Sequence, residues 1–120
     1  MRYSDFRIGN LVLHATTVTK VVAIHEDGIV VKHSEKYPSA KLTIQGIREI
    51  AVDESWFLKF GFAKVRDYPC FRIDGIQIEY DGSSSEWKAD LFSGRTSIKF
   101  VHQLQNLFFA LTGKELTINK

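Results

Sequence analysis

The chain has 120 residues, 44% of them hydrophobic and 25% charged, which suits one folded domain with its own core and excludes a disordered tail. Sixteen Lys/Arg against fourteen Asp/Glu leave a formal charge of +2, too little excess for a dedicated nucleic-acid binder with a basic stripe. One cysteine, Cys70, excludes an internal disulfide, and no apolar run approaches the ~18 residues of a membrane span. The opening residues 1–6 carry no apolar leader region, so a cytoplasmic protein with no membrane partner is expected. Residues 1–50 hold seven Lys/Arg against five Asp/Glu, and residues 51–120 hold nine of each, so the surface is a mixed, solvated one.

Turn signals cut the chain into pieces of strand length. Residues 7–13 begin extended, with a bend or bulge at Gly9-Asn10. Residues 18–24 and 29–33 are rich in β-branched side chains, and Asp27-Gly28 between them favours a type I′ turn. That turn would set Glu26 opposite Ile29 and Ile24 opposite Val31, with Val22 on the same buried face. Residues 34–40, with Tyr37-Pro38, read as a loop; residues 41–44 and 47–50 read as further short elements. Four or five short strands in the first fifty residues suggest a small, strongly bent antiparallel sheet of SH3-like type.

Asp53 is a suitable N-cap and Gly61 a suitable left-handed C′ residue for a helix of about two turns, anchored by Phe57, Leu58 and either Phe60 or Trp56. Asp74-Gly75 then separates residues 70–73 from residues 76–80. A two-residue turn pairs Ile73 with Ile76 and Phe71 with Ile78, so that these four and Tyr80 share one face. Arg72, Gln77 and Glu79 point the other way. Residues 81–85 make a longer turn into a third alternating strand at 87–91. The resulting three-stranded sheet needs a cover. An amphipathic helix over residues 97–112, capped by Ser97 and stopped by Gly113, would supply it. At 100° per residue, Phe100, Val101, Leu104, Leu107, Phe108 and Leu111 fall within about 60° of their mean direction.

The expected architecture is therefore α+β. It is one domain over residues 1–120, with an N-terminal β lobe (about 1–52) and a C-terminal sheet-and-helix lobe (about 53–120).

The run from Lys99 through Leu116, containing Val101-His102-Gln103-Leu104-Gln105-Asn106-Leu107-Phe108-Phe109, resembles the C-terminal signature of a family of small uncharacterised Bacteroidota proteins, many from prophages and other mobile elements. Asp5-Phe6-Arg7-Ile8-Gly9-Asn10 and residues 56–62 (WFLKFGF) are similar to that family's other landmarks. The resemblance implies a cytoplasmic bacterial or phage setting and carries over no catalytic residue.

Candidate chemistry is sparse. Cys70 has no histidine at an informative spacing, and a thiol nucleophile needs a base within hydrogen-bond reach and an oxyanion hole. His25 and His33 would face opposite sides of their hairpin, and His14 and His102 complete no ligand set, so no metal is expected. Asp53-Glu54 is accounted for by the helix macrodipole. Glu79 and Asp90 lie beside Arg72 and Lys88 as cross-strand charge pairs. Residues 81–85 lack the strand–loop–helix setting and the Lys of a phosphate-binding loop. No catalytic residue and no cofactor is expected.

Two surfaces remain. Arg7, Lys20, Lys32, Lys36, Lys41 and Arg48 would form the basic face of the N-terminal sheet, the candidate nucleic-acid surface. Ile98, His102, Gln105 and Phe109, with Asn106 beside them, form a stripe opposite the expected core face of the last helix. That stripe is either a junction with the N-terminal lobe or a surface for a protein partner or a second copy. The expected function is that of a non-enzymatic binding or accessory protein acting through protein contacts. A nucleic-acid-binding module and a small-ligand sequestering protein are the alternatives.

Overall fold

The computed structural model describes residues 5–32, 46–65, 69–91 and 94–118, together with the backbone of 40–42. The chain is α+β and forms two compact units, Met1–Ile50 and Ala51–Lys120.

The first unit is an antiparallel meander of β1 (Leu11–His14), β2 (Thr17–His25), β3 (Gly28–Lys32) and β4 (Ala40–Leu42), adjacent in chain order. Its core is Phe6, Val12, Val21, Ile29, Val31 and Ile47, with Ile24 packed against it. The chain then returns to the outer edge of β1, where the Leu13 and Arg48 amides each donate to the other's carbonyl at 2.9 Å. The expected bend at Gly9-Asn10 is present. Gly9 has φ of 100°, and Asn10 is buried with Oδ1 accepting from the Arg7 amide at 2.6 Å.

The first hairpin departs from its turn signal. His25 pairs with Gly28 and Ile24 with Ile29, so the turn residues are Glu26 and Asp27, one position earlier than Asp-Gly chemistry favours. The register shifts between Val21 and Ala23, which sets Val21 opposite Val31. The gain is apolar pairing: Ile29 meets Ile24 instead of Glu26, and Val31 meets the buried Val21. Val22 is the bulged residue and not the core partner expected of it. The expected loop at 34–40 falls mostly outside the described residues, as do residues 43 and 44 of the expected strand at 41–44.

In the second unit, α1 (Glu54–Lys59) is capped as its sequence specifies. Asp53 Oδ1 accepts from the Trp56 amide at 3.1 Å. At the other end Gly61 takes φ of 89°, its amide donating to Leu58 O and that of Phe62 to Phe57 O. These two bonds satisfy carbonyls that the helix end leaves free.

A five-stranded antiparallel sheet follows in chain order: β5 (Ala63–Lys64), β6 (Cys70–Ile73), β7 (Ile76–Asp81), β8 (Glu86–Leu91) and β9 (Gly94–Ile98). The three central strands are those read from the sequence, and β5 and β9 extend the sheet on either edge. Asp74 and Gly75 have φ of 47° and 83°, both positive as a type I′ turn requires, and Ile73 pairs with Ile76 and Phe71 with Ile78. Phe57 of α1 is fully buried on the apolar face, its ring 5.1 Å from that of Phe71 and 4.8 Å from that of Trp87.

The last helix, α2 (Val101–Thr112), starts later than expected. Ser97 lies in β9 and does not cap it; the helix N-cap is Phe100, and Gln103 Oε1 accepts from the amides of Lys99 and Phe100 at 2.9 and 3.1 Å. Gly113, at φ of 73°, ends the helix as its sequence position demands. The expected core face is also rotated. Val101, His102, Leu104, Gln105 and Phe108 are buried, whereas Leu107 is half-buried and Leu111 is 52% exposed.

Candidate functional site

The outer face of the five-stranded sheet carries a lattice of charge. Alternation aims Arg72, Gln77, Glu79, Lys88, Asp90 and Arg95 away from Phe71, Ile78 and Ala89, and the ladder sets Arg72, Gln77, Asp90 and Arg95 in one row across four strands. Gln77 is the hub. Its Oε1 accepts from Arg72 Nε and Nη2 at 3.0 and 2.7 Å, and its Nε2 donates to Glu79 at 2.7 Å and Asp90 at 3.2 Å. Arg95 closes the circuit, Nε donating to Asp90 at 2.9 Å and Nη2 to Glu79 at 3.2 Å. Each carboxylate here thus meets a guanidinium and an amide. Each carboxylate oxygen accepts one of these hydrogen bonds, so opposite charges alternate across the face in a paired network.

The end of β7 and β8 differs. Asp81 and Glu86 are direct ladder partners flanking the four-residue turn. Asp81 accepts from the Ser83 hydroxyl at 2.6 Å and the Ser83 amide at 3.0 Å, and Lys88 Nζ lies 3.1 Å from it. These bonds, the Ser83 hydroxyl first, hold its carboxyl well below the usual carboxylate range. Glu86 is half-buried, and its Oε2 is shut away from solvent with no hydrogen-bond partner among the described residues. It lines an open groove of about 400 Å³ together with Val52, Tyr80, Ser85, Trp87, Ile98 and Lys99. The Tyr80 and Trp87 rings stand 5.3 Å apart at 64°, and Tyr80 is 41% exposed.

The stripe expected on the last helix is divided by the structure. Ile98 belongs to β9, where it pairs with Trp87 and is buried, so it is no part of a helical stripe. His102 and Gln105 are each 2% exposed, and His102 stacks on Phe100 at 5.9 Å and 9°. Asn106 is half-buried, and Phe109 is 40% exposed.

Of the basic residues, Lys20 and Lys32 are direct partners across β2 and β3, and Lys41 sits opposite Val30 at backbone level. Arg7 donates from Nη1 to the Ile8 carbonyl at 3.3 Å, and Arg48 is exposed. Lys36 lies outside the described residues. Cys70 is buried beside a hollow of about 350 Å³ lined by Pro69, Glu79 and Tyr80. Burial, with the neighbouring Glu79 carboxylate second, pushes its thiol up, which disfavours the reactive thiolate.

No protein-family model, no curated protein and no solved structure matches this chain. Among the described residues, no helix is long and apolar enough to cross a membrane. The groove at Tyr80, Glu86 and Trp87 was not legible in the sequence, because it joins Val52, the 82–85 turn and Lys99, which only the folded chain brings together. The available signal was Glu86 itself, a carboxylate whose ladder partner, Asp81, is another carboxylate.

Proposed function

We propose that this chain is a non-enzymatic binding or accessory protein that acts through protein contacts, in the prophage or mobile-element setting its C-terminal run suggests. The observation that supports this is the end of α2. The helix buries residues through Phe108 and then presents Phe109, Ala110 and Leu111 in succession, Phe109 40% and Leu111 52% exposed. Phe109 and Leu111 point to different sides of the helix end, and each leaves apolar surface that association would remove from water. The test places a photo-crosslinking phenylalanine analogue at position 109 in a Bacteroidota host. One discrete protein adduct, lost when Leu111→Asp is added, is the expected result. Absence of any adduct, or turnover of a small molecule by the purified chain, would overturn the reading.

A second reading, nucleic-acid binding, draws on the direct Lys20–Lys32 pairing in the first sheet. It expects salt-dependent retention of DNA or RNA that Lys20→Glu abolishes. Failure to bind at low salt removes it.

A further inference from the structure

The ladder fixes which main-chain groups lie on the outer edge of β9. In an antiparallel sheet the N–H and C=O of successive residues point to alternate sides of the strand. The Asp74-Gly75 turn closes on Ile73 and Ile76, and the Tyr80 amide donates to Pro69 O at 2.9 Å, so Ile76, Ile78 and Tyr80 bond toward β6. Gln77, Glu79 and Asp81 then bond toward β8. Carried across the next two pairings, the alternation has Gly94, Thr96 and Ile98 bond back to β8, while Arg95 and Ser97 point away from it. Lys99 agrees from the far end, since its carbonyl accepts from the Val52 amide at 3.1 Å on the outer side.

That bond, beside the Ala51–Phe100 bridge, is where cover of this edge stops. After Val52 the chain turns into α1 at Asp53 instead of running on beside β9. The amides and carbonyls of Arg95 and Ser97 therefore have no hydrogen-bond partner among the described residues, and both residues are exposed. Such a row of main-chain groups is a template for one more strand.

The side chains select the strand. A second β9 laid antiparallel can be centred on Arg95, on Thr96 or on Ser97. The first sets Arg95 against Arg95. The last sets Arg95 against Lys99, whose carbonyl Val52 already holds. Centring on Thr96 sets Arg95 opposite Ser97 in both directions, engages all the outward amides and carbonyls of both copies, and pairs Thr96 with itself, a favourable match. The incoming strand then ends with Gly94 opposite Ile98, one rung short of Val52. Arg95 brings no unpaired charge to the seam, because Asp90 and Glu79 of its own sheet hold it.

We infer that this chain pairs with a second copy of itself, β9 to β9 about a two-fold axis at Thr96, joining the two five-stranded sheets into one. Both copies use the same edge, so association closes at the dimer. This surface is separate from the one proposed at the end of α2, and either can fail without the other.

Sedimentation velocity of the whole chain, from micromolar to millimolar concentration, should show reversible growth to a dimer. Ser97→Pro removes an outward amide and no bond to β8, so the sheet is kept while the dimer dissociation constant rises roughly tenfold. In a Cys70→Ala background, Thr96→Cys should crosslink under mild oxidation. Residues opposed in a non-hydrogen-bonded pair stand about 4.5 Å apart at Cα, within disulfide reach, whereas Arg95→Cys is displaced diagonally and should not crosslink. The crosslink decides the matter even if Ser97→Pro fails to fold. A chain that stays monomeric throughout overturns the inference. So does a dimer that Ser97→Pro leaves unchanged, a Thr96→Cys chain that does not crosslink, or one that crosslinks less readily than Arg95→Cys.

Discussion

Two regions of one sheet handle carboxylates in opposite ways. Across the outer face, Glu79 and Asp90 share Gln77 and Arg95 in a closed circuit of hydrogen bonds. At the turn end, Asp81 is engaged by Ser83 and Lys88, while its ladder partner Glu86 has a buried oxygen with no donor among the described residues. The sequence spacing of these groups is alike, each on the polar side of an alternating strand. What separates them is the reach of neighbouring donors. A satisfied lattice holds a surface in one shape, and a buried carboxylate oxygen left without a donor is the costlier arrangement.

This contrast can be broken from either side. The largest effect is expected from Gln77→Leu, which removes the hub between Arg72, Glu79 and Asp90; urea unfolding should show a loss of about 1–2 kcal/mol. Glu86→Gln should go the other way and raise stability by about 0.2–1 kcal/mol, because it removes a like charge directly opposite Asp81. Arg95→Ala should lose only a few tenths of a kcal/mol in 1 M salt, since its ion pairs are exposed and screened.

Asp81 should give the smallest signal, visible as pH dependence. Its folded pKa is depressed, so its contribution is present above the unfolded carboxyl value of about 3.9 and is lost as pH falls through the folded value. Asp81→Asn should therefore flatten the acid limb of a stability–pH profile below about pH 4 and leave the neutral region shaped as before.

The two Asp-Gly dipeptides explain how much of the fold the sequence carries. At Asp74-Gly75, turn chemistry and face alternation point to one register, and the hairpin forms there with both residues at positive φ. At Asp27-Gly28 they conflict. The favoured turn would put Glu26 opposite Ile29, and the chain instead turns at Glu26-Asp27 and bulges at Val22 to keep Ile24, Ile29, Val21 and Val31 together. Pairing of apolar side chains outweighs local turn preference where the two disagree. Helix ends followed the same rule. Asp53, Gly61 and Gly113 act as their types imply, whereas Ser97, equally suited to a cap, is taken into β9 by pairing with Lys88.

The site was less legible than the fold. Phe109 stood out as an apolar residue on the helix face away from the expected core, and it is 40% exposed. His102 and Gln105 shared its expected stripe yet are buried, because the buried arc of α2 runs through Val101, Gln105 and Phe108 and not through Leu107 and Leu111. Helical periodicity gives the width of an apolar face but not its rotation when polar and apolar residues both border it. The groove draws on three segments far apart in sequence, and no local pattern encodes such a meeting.

The most direct measurement is thermal unfolding of the wild-type chain, of Gln77→Leu and of Glu86→Gln. Gln77→Leu, which removes the hub of the hydrogen-bonded lattice, is expected to melt lower than wild type, and Glu86→Gln, which removes a like charge opposite Asp81, is expected to melt higher. A Glu86→Gln chain that melts lower, or a Gln77→Leu chain that melts as wild type does, would contradict the contrast between the two regions.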